Sequence, residues 1–405
     1  MSDSSLIARP AFTTGAPRRG LVLAALLFLA GLIYLDQTVS HKQAALWVVG
    51  ALLGVALYHA SFGFTSAWRR FILERRGAGL RAQMLMLALG TLLFFPVLAA
   101  GHIFGHPAVG YVSPIGVSVA VGSFLFGIGM QLGGGCASGT LFAVGGGNTR
   151  MIITLAFFIV GSLLGALQLP WWAAQPAFKP YSLVLNLGLA PAILLNLTLF
   201  AVIAWVTARL EKRRHGALEH DAPAPVSGPR WLVGPWSMWV GAVALAVLNF
   251  ATLALAGRPW GITSAFALWG AKIAQGLGVN VAAWPFFAHQ PGLLAAPVSH
   301  DITSVMDIGI MLGAFAAALL AGKFEPVWRV PLRSALAAAI GGVLLGYGAR
   351  LAFGCNIGSY FSGIVSGSVH GWLWLACAFT GNIVGTRLRP FFALAPVARA
   401  KETAC

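Results

Sequence analysis

The sequence predicts an all-α polytopic membrane protein of about ten transmembrane helices, built as two inverted repeats with interrupted helices. Three observations predict it: long apolar runs separated by basic loops, a glycine-cysteine stretch that occurs twice, and an aromatic-flanked Thr-Ser hairpin that also occurs twice. Composition sets the class. Of 405 residues, 58% are hydrophobic and only 9% charged, against about 25% charged in a soluble domain. The net charge of +16 does not call for nucleic acid, because the basic residues sit between the apolar runs and near their ends. Cytoplasmic loops of membrane proteins carry that excess of Lys and Arg, so the partner it implies is the lipid bilayer.

The first apolar run, 21–35, follows Arg18 and Arg19 as a secretory or twin-arginine signal would. No clear small-x-small cleavage site comes after it, so it is read as a first span. Further candidate spans run near 44–61, 83–101, 114–132, 151–168, 183–208, 236–256, 303–322, 334–353 and 371–388. They divide the chain into a tail and additional span (1–43), a first half (44–208), a basic linker (209–235), a second half (236–390) and a tail (391–405). The linker holds Lys212-Arg213-Arg214 and Ala222-Pro223-Ala224-Pro225. With the N-terminus in the cytoplasm, only Lys42, Lys179, Arg258, Lys272 and Arg350 of the 26 basic residues fall outside it or within the membrane. Both termini are therefore expected on the cytoplasmic side of a bacterial inner membrane.

The duplicated stretch runs from Gly122 to Gly139 and again from Gly341 to Gly358. Identical pairs are Gly122/Gly341, Leu125/Leu344, Gly127/Gly346, Gly129/Gly348, Leu132/Leu351, Gly135/Gly354, Cys136/Cys355 and Gly139/Gly358. Glycine inside a helix costs about 1 kcal/mol against alanine, so its repeated use marks close approach to another helix or to a ligand. Helix packing alone would account for the glycines, but it needs neither the cysteine nor the second repeat. That repeat pairs Phe62-Gly63-Phe64-Thr65-Ser66-Ala67-Trp68 with Trp260-Gly261-Ile262-Thr263-Ser264-Ala265-Phe266. The spans preceding the two copies are an odd number of crossings apart, so the halves enter the membrane from opposite sides. Inverted repeats with broken helices point to a transport pathway between them.

Cys136 and Cys355 stand at a break between glycines, Gly135 and Gly139 in one copy, Gly354 and Gly358 with Asn356 in the other. A thiol there is a soft, weak donor, and as thiolate a nucleophile. Cys377 and Cys405 lack that setting and read as ordinary small hydrophobes. A bridge between Cys136 and Cys355 stays open at this level. Arg350 lies within an apolar run, where an ionised side chain is a functional-site candidate; Gln131 holds its position in the other copy. If both face the axis the site is net positive and suits an anion, whereas snorkelling of Arg350 to the interface is the alternative. Thr65, Ser66, Thr263 and Ser264 offer hydroxyls at the start of short half-helices, as anion donors or simple caps. His59 and His370 are too scattered to suggest haem or a proton relay. No metal-ligand spacing, P-loop, dinucleotide fingerprint or nucleophile elbow occurs, so no cofactor and no enzymatic activity is expected.

At these residues the sequence resembles the YeeE/YedE sulfur-transport family over residues 44–390. The resemblance is carried by Gly134-Gly135-Cys136-Ala137-Ser138-Gly139, by Gly354-Cys355-Asn356-Ile357-Gly358 and by Gly261-Ile262-Thr263-Ser264. It implies an hourglass-like centre where loops of both halves meet at mid-membrane. It also implies passage of thiosulfate or a related sulfur anion by transient S–H···S contacts, with Cys136 and Cys355 as the thiols. Thiosulfate transporters of the family carry a further cysteine in the first hairpin, where this chain has Gly63, so a three-cysteine relay is not intact. Two functions follow as expectations. One is a permease for a small sulfur-containing anion; the other is a membrane partner that passes persulfide sulfur to a soluble sulfur carrier or rhodanese-like protein.

Overall fold

The computed structural model describes residues 18–219, 228–288 and 291–394. Its framework is helical. The principal helices are α1 (Arg18–Thr38), α2 (His41–His59), α3 (Phe64–Glu74), α4 (Ala78–Ala100), α5 (Val117–Gly133), α6 (Ala137–Gly145) and α7 (Thr149–Ala173). They continue with α8 (Leu189–His215), α9 (Met238–Ala256), α10 (Thr263–Gly276), α11 (Ile302–Leu320), α12 (Leu332–Leu351) and α13 (Val369–Leu388). Side chains set several starts: Ser40, Ser237 and Asp301 cap α2, α9 and α11 by accepting from Gln43, Val240 and Ser304 amides. Strands are confined to two short antiparallel pairs in the connections, among the described residues.

Among the described residues, 9 helical stretches are long and apolar enough to cross a bilayer, with α2–α3 and α5–α6 each counted as one. Exposed Leu26, Leu194, Val202 and Trp205 give the outer faces an apolar surface suited to lipid. The chain is a multi-pass membrane protein. The tenth expected span, 371–388, is a helix (α13) but falls outside that set. It carries His370, Asn382 and Arg387, and it buries His370, Trp374 and Asn382 against the protein. A helix that faces protein has no need of a fully apolar surface.

The motif glycines explain how closely the inner helices pack. α5 lies against α12 and α13, α7 against α12, and α2 against α11. A Cβ on Gly127 would stand 2.1 Å from the Ala378 carbonyl oxygen, and one on Gly341 2.1 Å from the Gly133 amide nitrogen. Only glycine permits these backbones to touch. The helix-packing account is therefore correct for the helical part of the duplicated stretch, and any other role is left to the turns that follow.

The first span docks on the rest: α1 contacts α2 and α11, and Trp47 Nε1 donates to the Phe28 carbonyl at 3.1 Å. The linker expected from residue 209 begins as helix, since α8 continues to His215. Glu211, fully buried, accepts from Arg81 Nη1 at 2.7 Å, the Gly77 amide at 3.1 Å and the Glu219 amide at 2.9 Å. This carboxylate ties the α3–α4 turn to the end of α8. Expectations for residues 1–17 and for Cys405 lie outside the described residues, as does part of the linker.

Candidate functional site

Each motif cysteine closes a break and opens the next helical segment. α5 ends at Gly134, whose φ of +93° and amide bond to Met130 stop the helix in a left-handed cap. Cys136 then stands at the N-cap of α6, its Sγ accepting from the Gly139 amide at 3.4 Å and lying 3.4 Å from Ser138 Oγ. In the second copy, Gly354 has a φ of +159°, and a Cβ there would lie 2.8 Å from Ser359 Oγ. Cys355 caps a single π-helical segment, Asn356–Ser362, and its Sγ accepts from the Ile357 amide at 3.4 Å. Such π segments are uncommon and gather at functional sites. Both cysteines are 1% exposed and both are free thiols.

The two turns share one core. α6 packs against the π-helical segment, and Cys136 and Cys355 belong to the same buried cluster as Phe64, Phe126, Tyr360 and Trp374. Trp374 stacks on Tyr360 and donates its indole N–H to the Gly354 carbonyl at 3.2 Å, which holds the turn. Phe64 and Trp68 of α3 meet Tyr360 edge-on, with ring centroids 5.9 and 6.0 Å apart. The hairpin before α3 thus reaches the turn that carries Cys355.

The Thr-Ser pairs occupy matching places. Thr65 and Thr263 are buried, whereas Ser66 and Ser264 are exposed. Gln131 Nε2 donates to the Thr65 carbonyl at 3.2 Å, and Arg350 Nη2 donates to Thr263 Oγ1 at 3.2 Å. Each motif residue preceding a cysteine is therefore joined to the Thr-Ser pair nearer to it in sequence. Gln131 also donates to Asn382 Oδ1 at 2.6 Å and accepts from Arg69 at 3.4 Å, so both of its amide atoms are partnered. Arg350 is less well supplied: its guanidinium lies 5.7 Å from the Phe286 ring centre, and its Nε is buried without a partner. Arg350 points at the second hairpin, where Arg258 Nη2 and Ser264 Oγ also meet Thr303 Oγ1, at 3.2 and 3.1 Å.

Among the described residues, several buried polar atoms on the turn after Cys355, and on Trp260 bonded to it through Ser362, make no hydrogen bond. They are both amide atoms of Asn356, the Tyr360 hydroxyl and the Trp260 indole N–H, all on residues at most 1% exposed. A Cβ on Gly358 would meet nothing within 4 Å, and one on Gly139 only Cys136 Sγ at 3.3 Å. These two motif glycines differ from the packing glycines: they leave room beside the thiols. Near the first hairpin, a cavity of about 290 Å³ is lined by His59, Gly63, Ser66, Arg70 and Trp236 among others.

A sulphur transport family model matches residues 59–384, most of the chain, including both cysteine turns and both Thr-Ser pairs. The chain belongs to the sulphur transport family. Among family relatives, the probable transporter YedE of Escherichia coli K12 is 33% identical over 174 residues, 42% of this chain; the chain spans 41% of that relative's length. The thiosulfate transporter TsuA of Spirochaeta thermophila is 28% identical over 83% of this chain and 95% of its own length. TsuA of Escherichia coli K12 is 26% identical over 82% of the chain and 90% of its own length.

The candidate site contains residues that the sequence alone does not single out. Tyr360 carries no signal beyond being aromatic, and Trp260 enters only as a flank of the second Thr-Ser repeat. Arg258 reads in the sequence only as one of five basic residues outside the cytoplasm or within the membrane, and Thr303 gains interest only through Arg258 and Ser264. Asp307 had a signal that was available: an ionisable residue in an apolar run, the reason that singled out Arg350.

Proposed function

We propose that this chain is an inner-membrane permease for a small sulfur-containing anion, thiosulfate or a related species, which passes Arg350, Cys355 and Cys136 along a central path. The observation that carries the reading is a set of buried donors that lack partners among the described residues: Arg350 Nε, Asn356 Nδ2 and the Tyr360 hydroxyl on the helix and turn that flank Cys355, and Nε1 of Trp260, whose carbonyl accepts from Ser362 of that turn. A buried donor left without a partner costs about 1–3 kcal/mol, and a passing anion satisfies several at once. The thiols add soft S–H donors suited to a sulfur-terminated ion. Thr65, Ser66, Thr263 and Ser264 line the two approaches, with Gln131, Gly135, Gly139, Gly354 and Gly358 shaping the turns. In this reading the two halves, 44–208 and 236–390, are inverted repeats that meet in an hourglass, and Gly63 leaves a two-thiol path. The similarity to TsuA over most of both chains supports the substrate class. Burial of both cysteines favours a permease over sulfur hand-off to a soluble carrier, which needs an accessible thiolate.

Uptake of radiolabelled thiosulfate by vesicles containing the purified chain tests the function. Uptake no greater than that of protein-free vesicles overturns it. Arg350→Gln, which copies Gln131, is expected to lower uptake by at least about tenfold, the equivalent of ~1.4 kcal/mol, at unchanged expression. Arg350→Lys retains part of it, because charge survives while the planar fork is lost. Equal uptake by Arg350→Gln and wild type assigns the arginine to anchoring α12 alone.

Orientation follows from the basic residues. Arg69, Arg70, Arg75, Arg76, Arg81, Arg150 and Arg213 belong to segments assigned to the cytoplasm. Reporter fusions are expected to place both termini there; periplasmic activity at either end would reverse the assignment.

A further inference from the structure

We propose that Asp307 is a proton-carrying carboxyl that couples inward movement of the anion to entry of protons, making the chain a proton–anion symporter. The inference rests on the permease reading above. Asp307 lies on α11, in the interior of a membrane span, and is 0% exposed. Both of its oxygens are buried and neither has a hydrogen-bond partner. An ionised carboxylate in that state is among the most costly groups a protein can hold, and carrying a proton removes the charge. A carboxyl with no structural bond to make is free for another task.

Its place on the helix specifies the task. One turn earlier on the same face, Thr303 binds Arg258 and Ser264, and Ser304 accepts the Trp269 indole N–H at 2.9 Å. One turn later, the Met311 carbonyl abuts Gly145 of α6, the helix that Cys136 opens. Along α11, Asp307 therefore sits between the contact with the second Thr-Ser hairpin and the contact with the segment after Cys136. The elements packed on α11 carry Arg18, Arg19, Tyr34 and Asp36 on α1, His41, Lys42, Tyr58 and His59 on α2, Lys272 on α10, Arg230, and His300 and Asp301 at the helix start. None of these groups bonds to Asp307. Lys272 is held by the Leu294 and Ala296 carbonyls, at 2.8 and 2.7 Å.

The physical need is plain. Thiosulfate is a dianion, and a negative-inside potential opposes its entry, with a penalty for each charge moved. Arg350 and Arg258 attract the ion but stay with the protein, so they cannot balance charge that crosses. A carboxyl can. It takes a proton from the outer side when the path opens there, crosses the cycle neutral, and releases the proton to the inner side with the anion.

The test uses the full chain in lipid vesicles with a trapped pH-sensitive dye. Added thiosulfate is expected to acidify the interior with wild type, to lose that acidification with Asp307→Asn, and to keep it with Asp307→Glu. Infrared spectra of the same samples are expected to show a protonated carboxylic-acid band at neutral pH that is missing from Asp307→Asn. Labelled thiosulfate entering with wild type and no acidification overturns the coupling, as does wild-type acidification by Asp307→Asn or an infrared band that Asp307→Asn retains. Wild-type uptake at the level of empty vesicles instead overturns the permease reading, and the coupling falls with it.

Discussion

Cys355→Ala is expected to lower thiosulfate uptake by at least about tenfold, ~1.4 kcal/mol on the barrier, while the protein still folds. Cys355 is 1% exposed, and its sulfur accepts one weak bond, from the Ile357 amide at 3.4 Å. Its thiol proton has no assigned acceptor, so alanine removes a donor from the proposed path and little from the fold. The neighbouring atoms that lack partners, on Asn356, Tyr360 and Arg350, remain in place. In the proposed path they still attract the anion, but the soft S–H contact is gone. Cys377→Ala is the matched control, since Cys377 is a half-buried residue on α13 outside the two turns. Uptake by Cys355→Ala close to wild type, at equal protein per vesicle, would remove the cysteine from the path and return it to the role of a helix cap.

Gly127→Leu is expected to destroy the folded protein, in contrast to Gly358→Leu, although both glycines belong to the duplicated stretch. At Gly127 a Cβ would stand 2.1 Å from a backbone oxygen, that of Ala378, so α5 and α13 must separate before any side chain fits. Overpacking of this kind costs about 3 kcal/mol or more when backbone must move, and the α5–α13 contact is among the most extensive in the molecule. At Gly358 nothing lies within 4 Å of the added carbon. A leucine there projects into the room beside Cys355, so stability changes little and uptake falls. Thermal unfolding in detergent and uptake in vesicles, measured on both variants, separate the two effects. A stable Gly127→Leu protein would contradict the close crossing, and normal uptake by Gly358→Leu would place the path elsewhere.

Much of the site was legible because it is built from unusual residue types. A cysteine between glycines, an arginine in an apolar run and a Thr-Ser pair between aromatics stand out against leucine, alanine and valine. The pairing of Arg350 with Thr263 and of Gln131 with Thr65 was not legible, because each joins residues far apart in the chain. The meaning of the glycines was legible only in part. Gly127 and Gly341 carry helix contacts, whereas Gly139 and Gly358 stand beside space, and identical residues in one motif divide according to what happens to face them.

The sequence by itself determined the membrane class, the approximate positions of the spans and the duplicated chemistry, because apolar length and residue identity are local properties. It overstated the apolarity of the last span, since α13 is covered by protein and can bury His370 and Asn382. It also took residues from 209 onward for linker, although the end of α8 there holds a fully buried Glu211 satisfied by Arg81 and the Gly77 amide. Only the tertiary structure decided that the two cysteine turns share one core, that Tyr360 stands between Phe64, Trp68 and Trp374, and that Asp307 has no partner. Partnership is a property of what surrounds a side chain, and in a bundle of crossing helices those surroundings come from segments distant in sequence.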